Sequence, residues 1–132
     1  MSDITWVIVA NGERARVFQT QGLALDLQEM EDLVNTAGRG TGLTDKEAEV
    51  LDRGEQKEKL EVEFSKRVAD YLEQGRLHQK YHRLIIAAEA KFLGMVRADL
   101  SEETQRLIFE GVSDDFSELD VVEIQKRLRK ER

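Results

Sequence analysis

The chain contains no cysteine and no proline. Without cysteine there is no disulfide framework, no thiol nucleophile and no thiolate metal site. The same lack suits a reducing compartment, so a cytoplasmic location is expected. Without proline, every turn has to come from glycine, asparagine, aspartate or serine. Long apolar runs are missing as well: a run such as Leu84 to Ala88 falls far short of the ~20 residues that span a bilayer. Met1-Ser-Asp-Ile4 carries no basic segment leading into an apolar stretch, so no secretory signal is expected. Positive charge is in deficit. Twenty Lys and Arg against 27 Asp and Glu leave a net charge of −7, and a broadly acidic surface repels phosphate backbones on average. Duplex DNA and a membrane are therefore not expected as partners, while docking on RNA through a few arginines stays open.

What is present is enough for one core. At 132 residues, 40% apolar and 36% charged, the chain reads as a single domain over 1–132. Thr5-Trp-Val-Ile-Val-Ala10 is a β-rich run apolar on both faces, which calls for a layer on each side of a sheet. Asn11-Gly12 then predicts a tight hairpin turn, because both residues tolerate positive φ. Arg14-Ala-Arg-Val-Phe18 alternates, with Ala15 and Val17 on one face and Arg14, Arg16 and Phe18 on the other. Leu23, Leu25 and Leu27 share one face of a third, half-exposed strand running on toward Glu31, reached through Gln21-Gly22. Met30, Leu33 and Val34 are expected to close it against the core.

From Asn35 to about Glu55 the pattern fails. Gly38-Arg-Gly-Thr-Gly42 is glycine-rich and Thr44 to Asp52 mostly charged, which predicts a mobile segment near 36–55. Helical periodicity follows: Leu60, Phe64, Val68, Tyr71 and Leu72 form one apolar stripe, with Gly75 as its C-terminal stop. Tyr81 to Ala88 reads as a buried central strand parallel to the first. A second helix places Phe92, Leu93, Val96 and Leu100 inward, Ser101-Glu-Glu opens a short turn of helix, and Leu107 to Val112 forms the last strand. Ser117-Glu-Leu-Asp120 looks like the start of a final helix carrying Val121, Ile124 and Leu128, whose basic end complements the helix dipole. The order is β-β-β-α-β-α-β-α, an α/β domain on a mixed five-stranded sheet. Val7, Val9, Leu84, Ile86, Leu60, Phe64 and Val68 are expected to share one core.

Four cations stand out as candidate anion- or RNA-binding residues. Arg14 and Arg16 project from one face of a strand and offer forked bonds to phosphate or carboxylate; the alternative is that both are solvated or paired with Glu13, Asp26 or other acids. Arg39 lies among Gly38, Gly40 and Gly42, which permit close approach to a backbone; the alternative is an unstructured loop, and no P-loop lysine follows. Lys91 lies where a buried strand enters a helix, the general ligand position of open sheets. There Glu89 opposes an anion, and Ala87, Ala88 and Ala90 equally suit close helix–sheet packing. His78 and His82 have metal-ligand spacing only on a helix, and they straddle a loop-to-strand junction, so no metal or other cofactor is expected. No Gly-x-Ser-x-Gly elbow occurs, and Asp114-Asp115 reads most simply as a pair of cap residues.

Trp6-Val-Ile-Val-Ala-Asn-Gly-Glu-Arg-Ala-Arg-Val-Phe18, Tyr81-His-Arg-Leu-Ile-Ile-Ala-Ala-Glu-Ala-Lys-Phe-Leu-Gly94 and Ser113-Asp-Asp-Phe-Ser-Glu-Leu119 resemble the bacterial host-attachment proteins over roughly residues 4 to 129. That family in turn resembles the central domain of archaeal and eukaryotic peptide-chain release factors, which implies an RNase H-like fold and a place near the ribosome. In release factors the loop between the third strand and first helix carries Gly-Gly-Gln. Here that loop has Thr41 between its glycines and no Gly-Gly-Gln, and Gln56 lies too near the helix. The expected function is a non-enzymatic binding module contacting the ribosome or structured RNA. The alternative is a protein-interaction domain affecting attachment or envelope regulation; a cryptic peptidyl-tRNA ester hydrolase ranks last.

Overall fold

The computed structural model describes residues 3–35 and 53–130. Strand β1 (Ile4–Ala10) pairs antiparallel with β2 (Arg14–Gln21), and β2 pairs antiparallel with β3 (Gln28–Val34). Helix α1 (Arg53–Leu77) leads to β4 (Arg83–Ala88), which lies parallel to β1. Helix α2 (Ala90–Asp99) and the short α3 (Glu102–Gln105) lead to β5 (Ile108–Val112), parallel to β4, and α4 (Val121–Lys130) follows. The sheet order is β3-β2-β1-β4-β5. This is the expected mixed five-stranded sheet of an α/β domain. No helix among the described residues is long and apolar enough to cross a membrane.

The pleat splits the expected core in two. Trp6, Ile8, Leu84 and Ile86 pack under α1 and α2 against Phe64, Val68, Leu72, Phe92 and Val96. Val7, Val9, Ile85 and Ala87 face the other way, onto Phe18, Leu25, Ile124 and Leu128. Successive side chains on a strand point to opposite faces, so Val7 and Val9 cannot share a core with Leu84 and Ile86 at the observed register. Leu60 belongs to neither cluster and stands at the rim of a cleft.

Several boundaries move, each for a local reason. The third strand begins at Gln28, not Leu23. The N–H groups that a strand there would offer are taken elsewhere: Ala24 N–H by Gln21 O, Asp26 N–H by Thr20 Oγ1 and Leu27 N–H by Gln125 Oε1. Leu25, at φ +55°, and Leu27 turn into the second core from coil. Met30 and Val34 stay exposed on the sheet edge, and of the expected closing residues only Leu33 packs inward. Helix α1 starts at Arg53, so the predicted mobile segment overlaps it by three residues. The rest of that segment, with Gly38, Arg39, Gly40 and Gly42, lies outside the described residues.

Gly75 does not stop α1. It sits inside the helix where a Cβ would stand 2.7 Å from the Trp6 ring, so its missing side chain admits the indole. The stop is Gln79 at φ +55°, with Lys80 N–H donating to Gly75 O and Gln79 N–H to Arg76 O, a Schellman closure with glutamine in the left-handed place. At the other end of the chain, Asp120 rather than Ser117 caps α4, its Oδ1 accepting from Glu123 N–H at 2.9 Å. Ser117 is fully buried and bonded elsewhere.

Candidate functional site

The parallel strands β1 and β4 end side by side at Ala10 and Ala88. This end of the sheet gathers Arg14, Arg16, Lys91 and Asp115, whereas His82 lies at the other end beside Ile4 and Gly38, Arg39, Gly40 and Gly42 lie outside the described residues. The β1–β2 hairpin forms as expected, but without a primed turn: the only described glycine with positive φ is Gly22, and neither Asn11 nor Gly12 has one. The Asn11 side chain shapes the turn instead. Its Oδ1 accepts from Glu13 N–H at 2.8 Å and Arg14 N–H at 3.0 Å, the local bonding by which asparagine substitutes for backbone in turns. Gly12 serves close approach, since a Cβ there would stand 2.9 Å from Glu61 Cγ of α1.

The other end of the same amide ties the hairpin to a segment a hundred residues later. Asn11 Nδ2 donates to Asp115 Oδ2 at 3.0 Å and to Ser117 Oγ at 2.9 Å. Asp115 Oδ1 accepts from Ser117 N–H and from its hydroxyl. Burial pushes the Asp115 carboxyl up, but the hydrogen bonds from Ser117 and Asn11 outweigh it and hold the group below its ordinary value. Asp115 is therefore an exposed cap residue, as expected, whose ionised carboxylate also joins the network through Asn11.

Arg14 and Arg16 do project together, and both forks are filled. Arg16 grips Glu29 with Nε and Nη2 at 3.0 Å each, while Nη1 donates to the carbonyls of Ser117 and Leu119 at 3.2 and 2.6 Å. Its side chain is 11% exposed. Arg14 bonds Asp32 through Nη2 at 2.5 Å and has Glu118 at 3.9 Å; the bond to Asp32 raises its pKa further. Asp32 shares the face of the arginines as the direct cross-strand partner of Arg16, and the bulge between Val17 and Phe18 then pairs Glu29 with Phe18, bringing it onto that same face.

Lys91 is held by Glu58 of α1 at 2.6 Å, a bond that raises its pKa. The α2 N-terminus is already occupied, because Glu89 Oε1 accepts from Phe92 N–H at 3.0 Å, placing a carboxylate where an anionic ligand would sit. The two histidines are separately engaged, His82 Nδ1 accepting from Ile4 N–H and His78 Nδ1 contacting Gln74 O. An open cleft of about 680 Å³ lies between the hairpin tip, the end of β3 and the first turns of α1. Its walls carry Glu13, Asp32 and Glu61, Arg14 and Lys57, and the apolar Val34 and Leu60. Among the described residues around this end, the acids Glu13, Glu29, Asp32, Glu58, Glu61, Glu89, Asp115 and Glu118 outnumber Arg14, Arg16, Lys57, Arg67 and Lys91.

The sequence singled out the hairpin and the Asp114-Asp115 segment separately; their joining through Asn11 and Ser117 it did not show. The available signal was a buried-strand end followed at once by asparagine, whose side chain bonds backbone and side chain together.

Solved structures similar to this chain include the following two. One is a crystal structure of an archaeal translation termination factor, aRF1, at 12% identity and a TM-score of 0.46, covering 97% of this chain and 38% of that one. The other is an archaeal protein at 14% identity and a TM-score of 0.49, covering 96% of this chain and 36% of that one. The chain thus spans little more than a third of either. Comparison with curated proteins gives no match. The model of one family, described as protein required for attachment to host cells, matches residues 6–128, and the chain belongs to that host-attachment family.

Proposed function

We propose that this protein is a non-enzymatic binding module, acting in the bacterial cytoplasm, that receives a protein partner at the hairpin end of its sheet. The observation that supports this reading is the commitment of Arg14, Arg16 and Lys91 to carboxylates at 2.5–3.0 Å. A phosphate entering there would have to displace Asp32 or Glu29 from a fork already satisfied, then face Glu13, Glu61 and Glu118. A polypeptide carrying its own lysine or arginine meets the opposite field, and Val34 and Leu60 in the cleft offer it apolar contact. On this reading peptidyl-tRNA is bound weakly if at all and is not turned over.

The test is affinity capture with the wild type and with a Val34→Arg variant, Val34 being half exposed and outside both cores. Proteins retained by the wild type, lost by the variant and unaffected by nuclease are the expected result. Retention that disappears with nuclease and ignores Val34 overturns it. The second reading, contact with the ribosome or structured RNA, is favoured by a different observation. Residues 126–132 carry five of the chain's 20 cations and one of its 27 acids, so positive charge is concentrated in a stretch of sequence separate from Arg14 and Arg16.

A further inference from the structure

In α4, Ile124 and Leu128 are fully buried against the sheet. At 100° per residue, Lys126, Arg129 and Lys130 fall on the opposite side of that helix, and all three are exposed. Arg127 lies off this stripe and is held by Glu123 at 3.4 Å. Among the described residues Lys126, Arg129 and Lys130 have no ion-pair partner, although acids are in excess over the molecule as a whole. They therefore differ from Arg14, Arg16 and Lys91, whose charge is neutralised within the fold. Neighbours three and four apart on a helix stand about 5–6 Å from one another, so the three cations form a compact, rigidly mounted stripe. Complementing the helix dipole accounts for cations in the last turn, but Lys126 lies before it and adds like-charge repulsion against Lys130.

We infer that Lys126, Arg129 and Lys130 on the outward face of α4 form a contact for the phosphate backbone of RNA, while Arg14 and Arg16 do not. The inference rests on the second reading above and assigns its surface. An anionic bilayer is the weaker fit, because a helix lying on a membrane inserts its apolar face and that face of α4 is already spent on Val7, Ile85 and their neighbours. The outward stripe adds only Val122 as an exposed apolar residue of the helix.

The experiment follows fluorescence anisotropy of labelled poly(U) with the full chain over a salt series. Three phosphate contacts to a single strand give a log–log slope near −2, so affinity should fall about 20-fold between about 50 and 200 mM salt. The variant Lys126→Gln/Arg129→Gln/Lys130→Gln should lose the salt-dependent binding while melting as the wild type does. Lys126→Gln alone should flatten the slope by about 0.7. Arg14→Met should leave binding unchanged. If the wild type binds poly(U) and the triple variant binds it equally well, the assignment to α4 is wrong and the RNA reading survives. If the wild type shows no salt-dependent binding, both fall. Binding to phosphatidylserine vesicles that depends on the same three residues, without binding to poly(U), also overturns the inference.

Discussion

The two faces of the sheet are closed by different means. On one, the 25-residue α1 together with α2 buries aromatic rings against it: Trp6 stacks on Tyr71 at 5.5 Å and lies 4.7 Å from Tyr81, and Phe64 meets Phe92 at 5.7 Å. On the other, the cover is the ten-residue α4 and the coil around Leu25 and Leu27. That thinner layer is fastened by polar clamps, namely Arg16 on the carbonyls of Ser117 and Leu119, Asn11 on Asp115 and Ser117, and Gln125 on Leu27 N–H. A broad apolar interface holds mainly by area, here with Tyr81 and the Glu73 network as additions. A narrow one gains orientation from hydrogen bonds whose loss leaves buried groups unsatisfied. The face held by clamps also carries the hairpin network, so stability and site geometry are coupled there.

The largest expected effect comes from Ile86→Asp on the helix-covered face. An unpaired charge in that core costs several kcal/mol, of the order of the whole ~5–15 kcal/mol stability, and circular dichroism should show an unfolded chain. A cooperatively melting Ile86→Asp protein would refute the central-strand assignment. On the clamped face, Arg16→Met should cost about 2–3 kcal/mol, because Glu29 and two carbonyls lose a charged donor. Denaturant titration measures it, and a change within error would mean the clamp is replaced by water without loss.

Gly75→Ala weighs two effects against each other. Alanine raises helix propensity by about 1 kcal/mol, whereas a Cβ 2.7–2.9 Å from the Trp6 and Tyr81 rings forces repacking worth about 1–3 kcal/mol. A net loss of about 1 kcal/mol is expected, and a stabilised variant would show that the indole gives way freely.

Acid should act on both faces. Glu73, on the helix-covered side, is pushed up by burial but more strongly lowered by hydrogen bonds from Ser101, Thr104 and Arg76. Asp115, on the clamped side, is likewise lowered. Carboxyls with depressed native pKa stabilise the fold above their ordinary values, 4.5 and 3.8, and that contribution is lost as pH falls through the lower native values. Melting temperature should therefore drop below about pH 4.5, and Asp115→Asn should blunt the drop. The smallest effect belongs to Arg14→Met, where the pair with Asp32 is 30% and 38% exposed and worth below about 1 kcal/mol, screened further by salt.

The hydrophobic pattern alone determined much of this protein. Runs apolar on both sides became central strands β1 and β4, the 3.6-residue stripe of Phe64, Val68 and Leu72 became the buried face of α1, and together they placed the chain as a mixed five-stranded α/β sheet. Local periodicity carries that information because each element must hide its own apolar residues. Which face a strand residue takes is set by register across partners. Hence the division of Val7 and Val9 from Leu84 and Ile86 was decided only in three dimensions, as was the turning of Leu25 and Leu27 from apparent strand into coil. The candidate site was legible as residues and not as chemistry. Arg14, Arg16 and Lys91 do converge on one end of the sheet, but a sequence does not show that Asp32, Glu29 and Glu58 arrive there too. Charge pairing is long-range in sequence and short-range in space, so only the folded chain determines which cations are spent inside the molecule and which remain for a partner.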